Sequence, residues 1–103
     1  MAKPTKLSKR KIEIGLAKLS GWKRDHAALT KEFTLSSFAG AARFIAKIVP
    51  IANRMDHHPD LQLYRYKRVK IILTTHDAGG ITRKDFELAA KIDALAPPGT
   101  GRA

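Results

Sequence analysis

Three of the four histidines, His57, His58 and His76, fall within one twenty-residue stretch. An imidazole exchanges protons near neutral pH, so this grouping points first to proton transfer or metal binding. His57 and His58 stand where a long helical pattern stops, and Pro59 forbids its simple continuation. His76 stands at the far end of the strongest strand pattern, just before Gly79-Gly80. Adjacent histidines point different ways, and the spacing places no fourth strong ligand. Acid–base work without a metal is therefore favoured over a zinc site. His26 falls in a predicted turn and is read as a surface residue without a role.

The elements that must position these rings follow from periodicity. Ser8 caps a predicted helix to about Leu19, with Ile12, Leu16 and Leu19 on one stripe and Gly21 as the stop. Trp22 opens a strand, Lys23 to Ala28 is turn-like, and Leu29 to Leu35 alternates with Lys31 intruding. Ser36 or Ser37 caps a second helix to about Asp56. Its apolar residues are Phe38, Ala41, Ala42, Ile45, Ile48, Val49, Ala52 and Met55, a stripe read as core. Pro50 lies inside that pattern and predicts a kink or a split.

Leu61 to Tyr66 and Val69 to Thr75 form a second strand pair, with a bulge or long turn between them. Thr82-Arg83-Lys84-Asp85 then opens the last helix as a capping box, with Phe86, Ala89, Ile92 and Leu95 inward. Strands in pairs joined by short turns imply an α+β fold: a four-stranded antiparallel sheet with three helices on one face, in the order α-β-β-α-β-β-α.

A chain of 103 residues is one domain. The expected division is a flexible basic arm at 1–7, a folded domain at 8–95 and a disordered tail at 96–103, where two prolines and two glycines cluster. No apolar run approaches the ~20 residues of a membrane span, and no signal-peptide core follows the basic start. The absence of cysteine excludes disulfides, a thiolate nucleophile and a cysteine-based zinc site, which fits a cytoplasmic protein.

The formal charge of +11 is concentrated at Lys3, Lys6, Lys9, Arg10 and Lys11, and again at Arg65, Lys67, Arg68 and Lys70. A solvated surface explains it more simply than a polyanion partner. With no aromatic-basic repeat and no helix-turn-helix pattern, specific nucleic-acid binding is not expected, nor is a membrane partner.

The order of motifs resembles the pterin-4a-carbinolamine dehydratase family. That family carries an acidic residue, three spacers, His-His-Pro, an aromatic six or seven residues on, Thr-His about ten residues later, and an Asp beyond. Here His57-His58-Pro59, Tyr66, Thr75-His76 and Asp85 match in order. The runs T-H-D-A-G-G-I-T and F-E-L-A-A-K-I-D, and the early L-S-G-W ending at Trp22, look like family sequence too. Two positions depart: Asn53 stands at the acidic site four before His57, and Lys84 stands where arginine is expected.

The resemblance implies dehydration of 4a-hydroxytetrahydropterin to quinonoid dihydropterin in tetrahydrobiopterin recycling, with neither metal nor cofactor. It implies catalytic roles for His57, His58, His76 and Asp85. Substrate contacts are expected from Pro59, Thr75, Asp77, Ala78, Tyr66 and Lys84. His57 suits the acid, since a helix C-terminus favours a cation, with His76 as its partner and His58 orienting the pterin. Asn53 offers a hydrogen bond without charge, leaving Asp56, Asp60 or Asp77 to supply a carboxylate. Asp85 also has a sufficient structural task as a helix cap. Homodimers joined at sheet edges and tetramers joined by helices are implied. So is an alternative role as a protein-binding dimerisation, coactivator or assembly factor.

Overall fold

The computed structural model describes residues 4–98 and 100. Helix α1 (Lys9–Ala17) is followed by strands β1 (Lys23–Asp25) and β2 (Ala28–Thr34), then helix α2 (Phe38–Met55). Strands β3 (Asp60–Tyr64) and β4 (Arg68–Leu73), a 3-10 turn (His76–Ala78) and helix α3 (Arg83–Leu95) complete the order. The four strands form one antiparallel sheet in the order β1-β2-β4-β3. The α+β class and the α-β-β-α-β-β-α order are those expected from the sequence.

The sheet presents Leu29 and Phe33 of β2 and Val69, Ile71 and Leu73 of β4 to the helices, which answer with Ile12, Phe44, Ile48, Leu88 and Ile92. Each of these side chains is buried, and each contributes roughly 1.5–3 kcal/mol of hydrophobic stabilisation. The opposite sheet face carries Lys23, Thr30, Glu32, Lys70 and Tyr64, polar side chains at the alternate positions of their strands. No helix among the described residues is long and apolar enough to cross a membrane.

Several boundaries differ from the sequence reading, each for a local reason. Lys23–Asp25, read as part of a turn, is a strand because it pairs with Ala28–Thr30; the turn narrows to His26 and Ala27, with His26 at φ 55. Helix α2 is not split by Pro50. The amide missing at Pro50 would have bonded the carbonyl of Ala46, and both residues lie on the exposed face, where water can take that carbonyl. Helix α2 is also rotated from the expected phase. Phe44 is buried, while Phe38 and Val49 are 60% and 47% exposed.

Of the segment read as a flexible arm, Leu7 donates its amide to the Ile81 carbonyl at 2.8 Å and packs against the core. Of the segment read as a disordered tail, Thr100 is buried and its carbonyl accepts the Thr34 amide at 2.8 Å. Residues 1–3, 99 and 101–103 lie outside the described residues.

Lys31, the charge that interrupts the β2 alternation, is buried rather than turned outward. Its ammonium donates to the Ser20 carbonyl at 2.7 Å and to Asp93 at 2.9 Å, and lies 4.7 Å from the Phe33 ring centroid. Trp22 Nε1 donates to the same carboxylate. Asp93→Ala would strip Lys31 and Trp22 of their shared acceptor at once. The expected loss is about 2 kcal/mol of stability, read as a lowered urea midpoint with an unchanged slope.

Candidate active site

Helix α2 ends in a way that fixes where His57 goes. Asp56 adopts the left-handed conformation at φ 49, a place where glycine is usual and aspartate is tolerated. The Asp56 amide donates to the Asn53 carbonyl, and the His57 amide to the Ala52 carbonyl at 3.0 Å. This pair of bonds is a Schellman motif, which closes the helix and turns the next residue off its axis. His57 is buried as a result, while His58 stays exposed. The Asn53 amide oxygen accepts from His58 Nε2 at 3.1 Å. Pro59 then leads into β3 at Asp60.

From the other side, β4 delivers Thr75 and His76. Thr75 and Gly80 exchange backbone hydrogen bonds of 3.0 and 3.3 Å, closing a small loop that holds His76–Ala78. Gly79 permits the closure with φ 76, a conformation that other residues rarely adopt. Two residues beyond Gly80, Thr82 caps α3 and places Asp85 in the first turn. His57, three residues before β3, and Asp85, inside α3, are thus brought together by the hairpin and by the packing of the last helix.

Their meeting is a short, buried polar contact. His57 Nε2 lies 2.6 Å from Asp85 Oδ1, and Asp85 is fully buried. The other carboxylate oxygen, Oδ2, accepts from the Thr75 hydroxyl at 2.9 Å and from the Thr82 amide at 2.8 Å. An ionised carboxylate only accepts, so His57 Nε2 carries a proton and donates it to Asp85. Among the described residues Nε2 is the ring's only nitrogen with a hydrogen-bond partner, and no buried side-chain nitrogen or oxygen lacks one. His57 itself lines a surface cleft.

A shallow cleft of about 160 Å³ opens at this point, lined by Pro4, Asp56, His57, His58, Thr74, Thr75, His76, Asp77 and Lys84. All three histidines of the motif line it. Beside it, an apolar groove of about 170 Å³ shares His58 and takes in Asn53, Pro59 and Leu61. Ala78 lies in the His76 loop but does not line the cleft. Tyr66 sits in the β3–β4 turn with φ 53 and is 60% exposed, at the end of the hairpin remote from the histidines.

The carboxylate that holds His57 is Asp85, not a neighbour of the His-His-Pro run. Asn53 serves His58 instead. Pro4 and Thr82 went unnoticed in the sequence as site residues. Thr82 was visible as a cap, but nothing in the spacing shows its hydroxyl 2.8 Å from that of Thr75.

Comparison with known proteins agrees with the motif order. A family profile described as pterin 4 alpha carbinolamine dehydratase matches residues 5–95. A protein of Sulfolobus acidocaldarius, provisionally named pterin-4-alpha-carbinolamine dehydratase, is 46% identical over 90 residues, covering 87% of this chain and 98% of its own length. A protein of Thermosynechococcus vestitus with the same provisional name is 45% identical over 91 residues, covering 88% and 95%. A solved structure from Brucella melitensis, described as a transcriptional coactivator/pterin dehydratase, superposes with a TM-score of 0.86 at 32% identity, over 90% of this chain and all of the other. A pterin dehydratase-like protein described as a RuBisCO assembly factor of the alpha-carboxysome shares the fold, with a TM-score of 0.59 at 24% identity over 77% of this chain and 88% of the other.

Proposed function

The chain belongs to the pterin-4a-carbinolamine dehydratase family, and on that premise we propose that it dehydrates 4a-hydroxytetrahydropterins at the three-histidine cleft. The reaction protonates the 4a-hydroxyl, breaks the C4a–O bond to release water, and removes the N5 proton as the C4a=N5 double bond forms. It needs one proton donor and one acceptor on a single ring system, and no electron is transferred. The observation that carries the reading is His57, held from behind by buried Asp85 and lining the same cleft as His58 and His76.

In its cationic form His57 holds two protons. The Nε2 proton is committed to Asp85, so the Nδ1 proton is the one available to the departing hydroxyl. His76, exposed on its small loop and lining the same cleft, is the proposed acceptor of the N5 proton in its neutral form. His58, steadied by Asn53, orients the ring, with Asp77 and Lys84 supplying polar contacts at the rim. Asp85 contributes by holding the imidazole in one tautomer and one orientation.

The direct test follows dehydration of a freshly generated 4a-carbinolamine. Acceleration over the uncatalysed rate at micromolar protein is expected; a rate equal to the blank would refute the proposal. A protein-binding role is the second reading. It draws on the coactivator half of the Brucella protein's description and on Phe38 and Val49 standing exposed on α2.

A further inference from the structure

We propose that Thr82 and Thr75 form a directed hydroxyl chain that positions Asp85, making the N-terminal cap of α3 part of the catalytic apparatus. Neither residue need touch the reacting atoms to do this. The inference rests on the dehydratase reading for its kinetic consequence, though not for its geometry.

The direction of the chain follows from counting protons. Each threonine hydroxyl has one proton to give. Thr75 gives its proton to Asp85 Oδ2, because a carboxylate cannot return one. The Thr75–Thr82 contact of 2.8 Å must then be filled from the other side, so the Thr82 hydroxyl donates to Thr75. Thr82 Oγ1 in turn accepts the Lys84 amide at 3.2 Å, one of the unpaired donors of the first helical turn. The chain of donors therefore runs from the Lys84 amide through Thr82 and Thr75 and ends at Asp85, whose other oxygen accepts from His57 Nε2.

A backbone amide cannot reverse, so the outer end of the chain has a fixed sense. The Thr82 amide, also on Oδ2, fixes that oxygen as an acceptor a second time. Asp85 is left with one oxygen held by two donors and the other presented to His57. Thr82 and Asp85 are fully buried and Thr75 nearly so, which keeps water from replacing a missing hydroxyl at low cost. A carboxylate held at one oxygen in this way has its plane set, and with it the line along which the His57 ring must lie.

Thr75→Val tests the chain with the helix cap left intact, since Thr82 keeps its bond to the Lys84 amide. Thr82→Val tests the outer link, and Thr82→Ser and Thr75→Ser restore the hydroxyls. A histidine Nε2 proton held by a buried carboxylate gives a slowly exchanging, far-downfield proton resonance. We expect that resonance in the wild type and both serine variants, and its loss or broadening in both valine variants. The dehydration kcat should fall about tenfold in Thr75→Val with KM nearly unchanged, as for an interaction that matters only in the transition state.

A Thr75→Val protein that keeps both the resonance and kcat overturns the inference, whatever becomes of Thr82→Val, whose folding depends on its cap. The resonance does not require catalysis. A wild type without dehydratase activity whose resonance still depends on Thr75 would sink the proposed function and leave the chain standing.

Discussion

His76→Ala is expected to lower dehydration by about 10²-fold without measurable loss of stability, the usual scale for removing a general acid or base. His76 is exposed, and the loop that carries it is closed by the backbone bonds of Thr75 and Gly80, which the substitution does not touch. His57→Ala should cost a similar factor in rate but behave differently on unfolding. It leaves Asp85 buried with one oxygen short of a donor, a penalty of about 1–3 kcal/mol.

The pair of variants separates chemistry from architecture. Rates and urea midpoints measured side by side should show His76→Ala slow and stable, His57→Ala slow and weakened. A His76→Ala protein with wild-type kcat would remove His76 from the mechanism and leave N5 deprotonation to another group or to water.

Much of the site was legible because its residues sit at element ends, and ends leave strong marks. The helical pattern stops before Pro59, the strand pattern stops before Gly79-Gly80, and Thr82 to Asp85 spells a cap. What the sequence concealed depends on contacts between segments far apart. The partner of His57 is 28 residues away, and no local spacing distinguishes Asp85 from Asp56, Asp60 or Asp77.

The phase of α2 was hidden for a different reason. Apolar residues cover more than one face of that helix, so periodicity alone leaves several faces to bury. The sheet selects the one bearing Ala41, Phe44, Ile48 and Ala52. β1 reads as Lys-Arg-Asp, a poor strand by propensity, and exists because β2 supplies its hydrogen bonds. Lys31 looks like a fault in the alternation until Asp93, in α3, is seen to meet it.

Asp85→Asn is expected to be the most damaging near-isosteric change, with kcat reduced about 10²-fold or more and the fold retained. Two fixed donors, the Thr82 amide and the Thr75 hydroxyl, converge on Oδ2, so the asparagine amide oxygen must occupy that position. Its NH₂ then takes the place of Oδ1, 2.6 Å from His57 Nε2 in the wild type. Two donors cannot face one another. His57 is driven to the opposite tautomer, with Nε2 accepting and the proton on Nδ1, and the cationic ring loses its place.

Asp85→Ala should fail in another manner. It strands the His57, Thr75 and Thr82 donors together and costs about 3 kcal/mol or more of stability, a large share of what a domain of this size possesses. Nitrogen chemical shifts of the His57 ring report the tautomer directly. The Nε2–H form in the wild type and the Nδ1–H form in Asp85→Asn are the expected pair. An Asp85→Asn protein with the wild-type tautomer would mean that the asparagine has turned its NH₂ away from His57, against the two donors fixed on Oδ2. The orientation of the carboxylate would then not be set by the α3 cap at all.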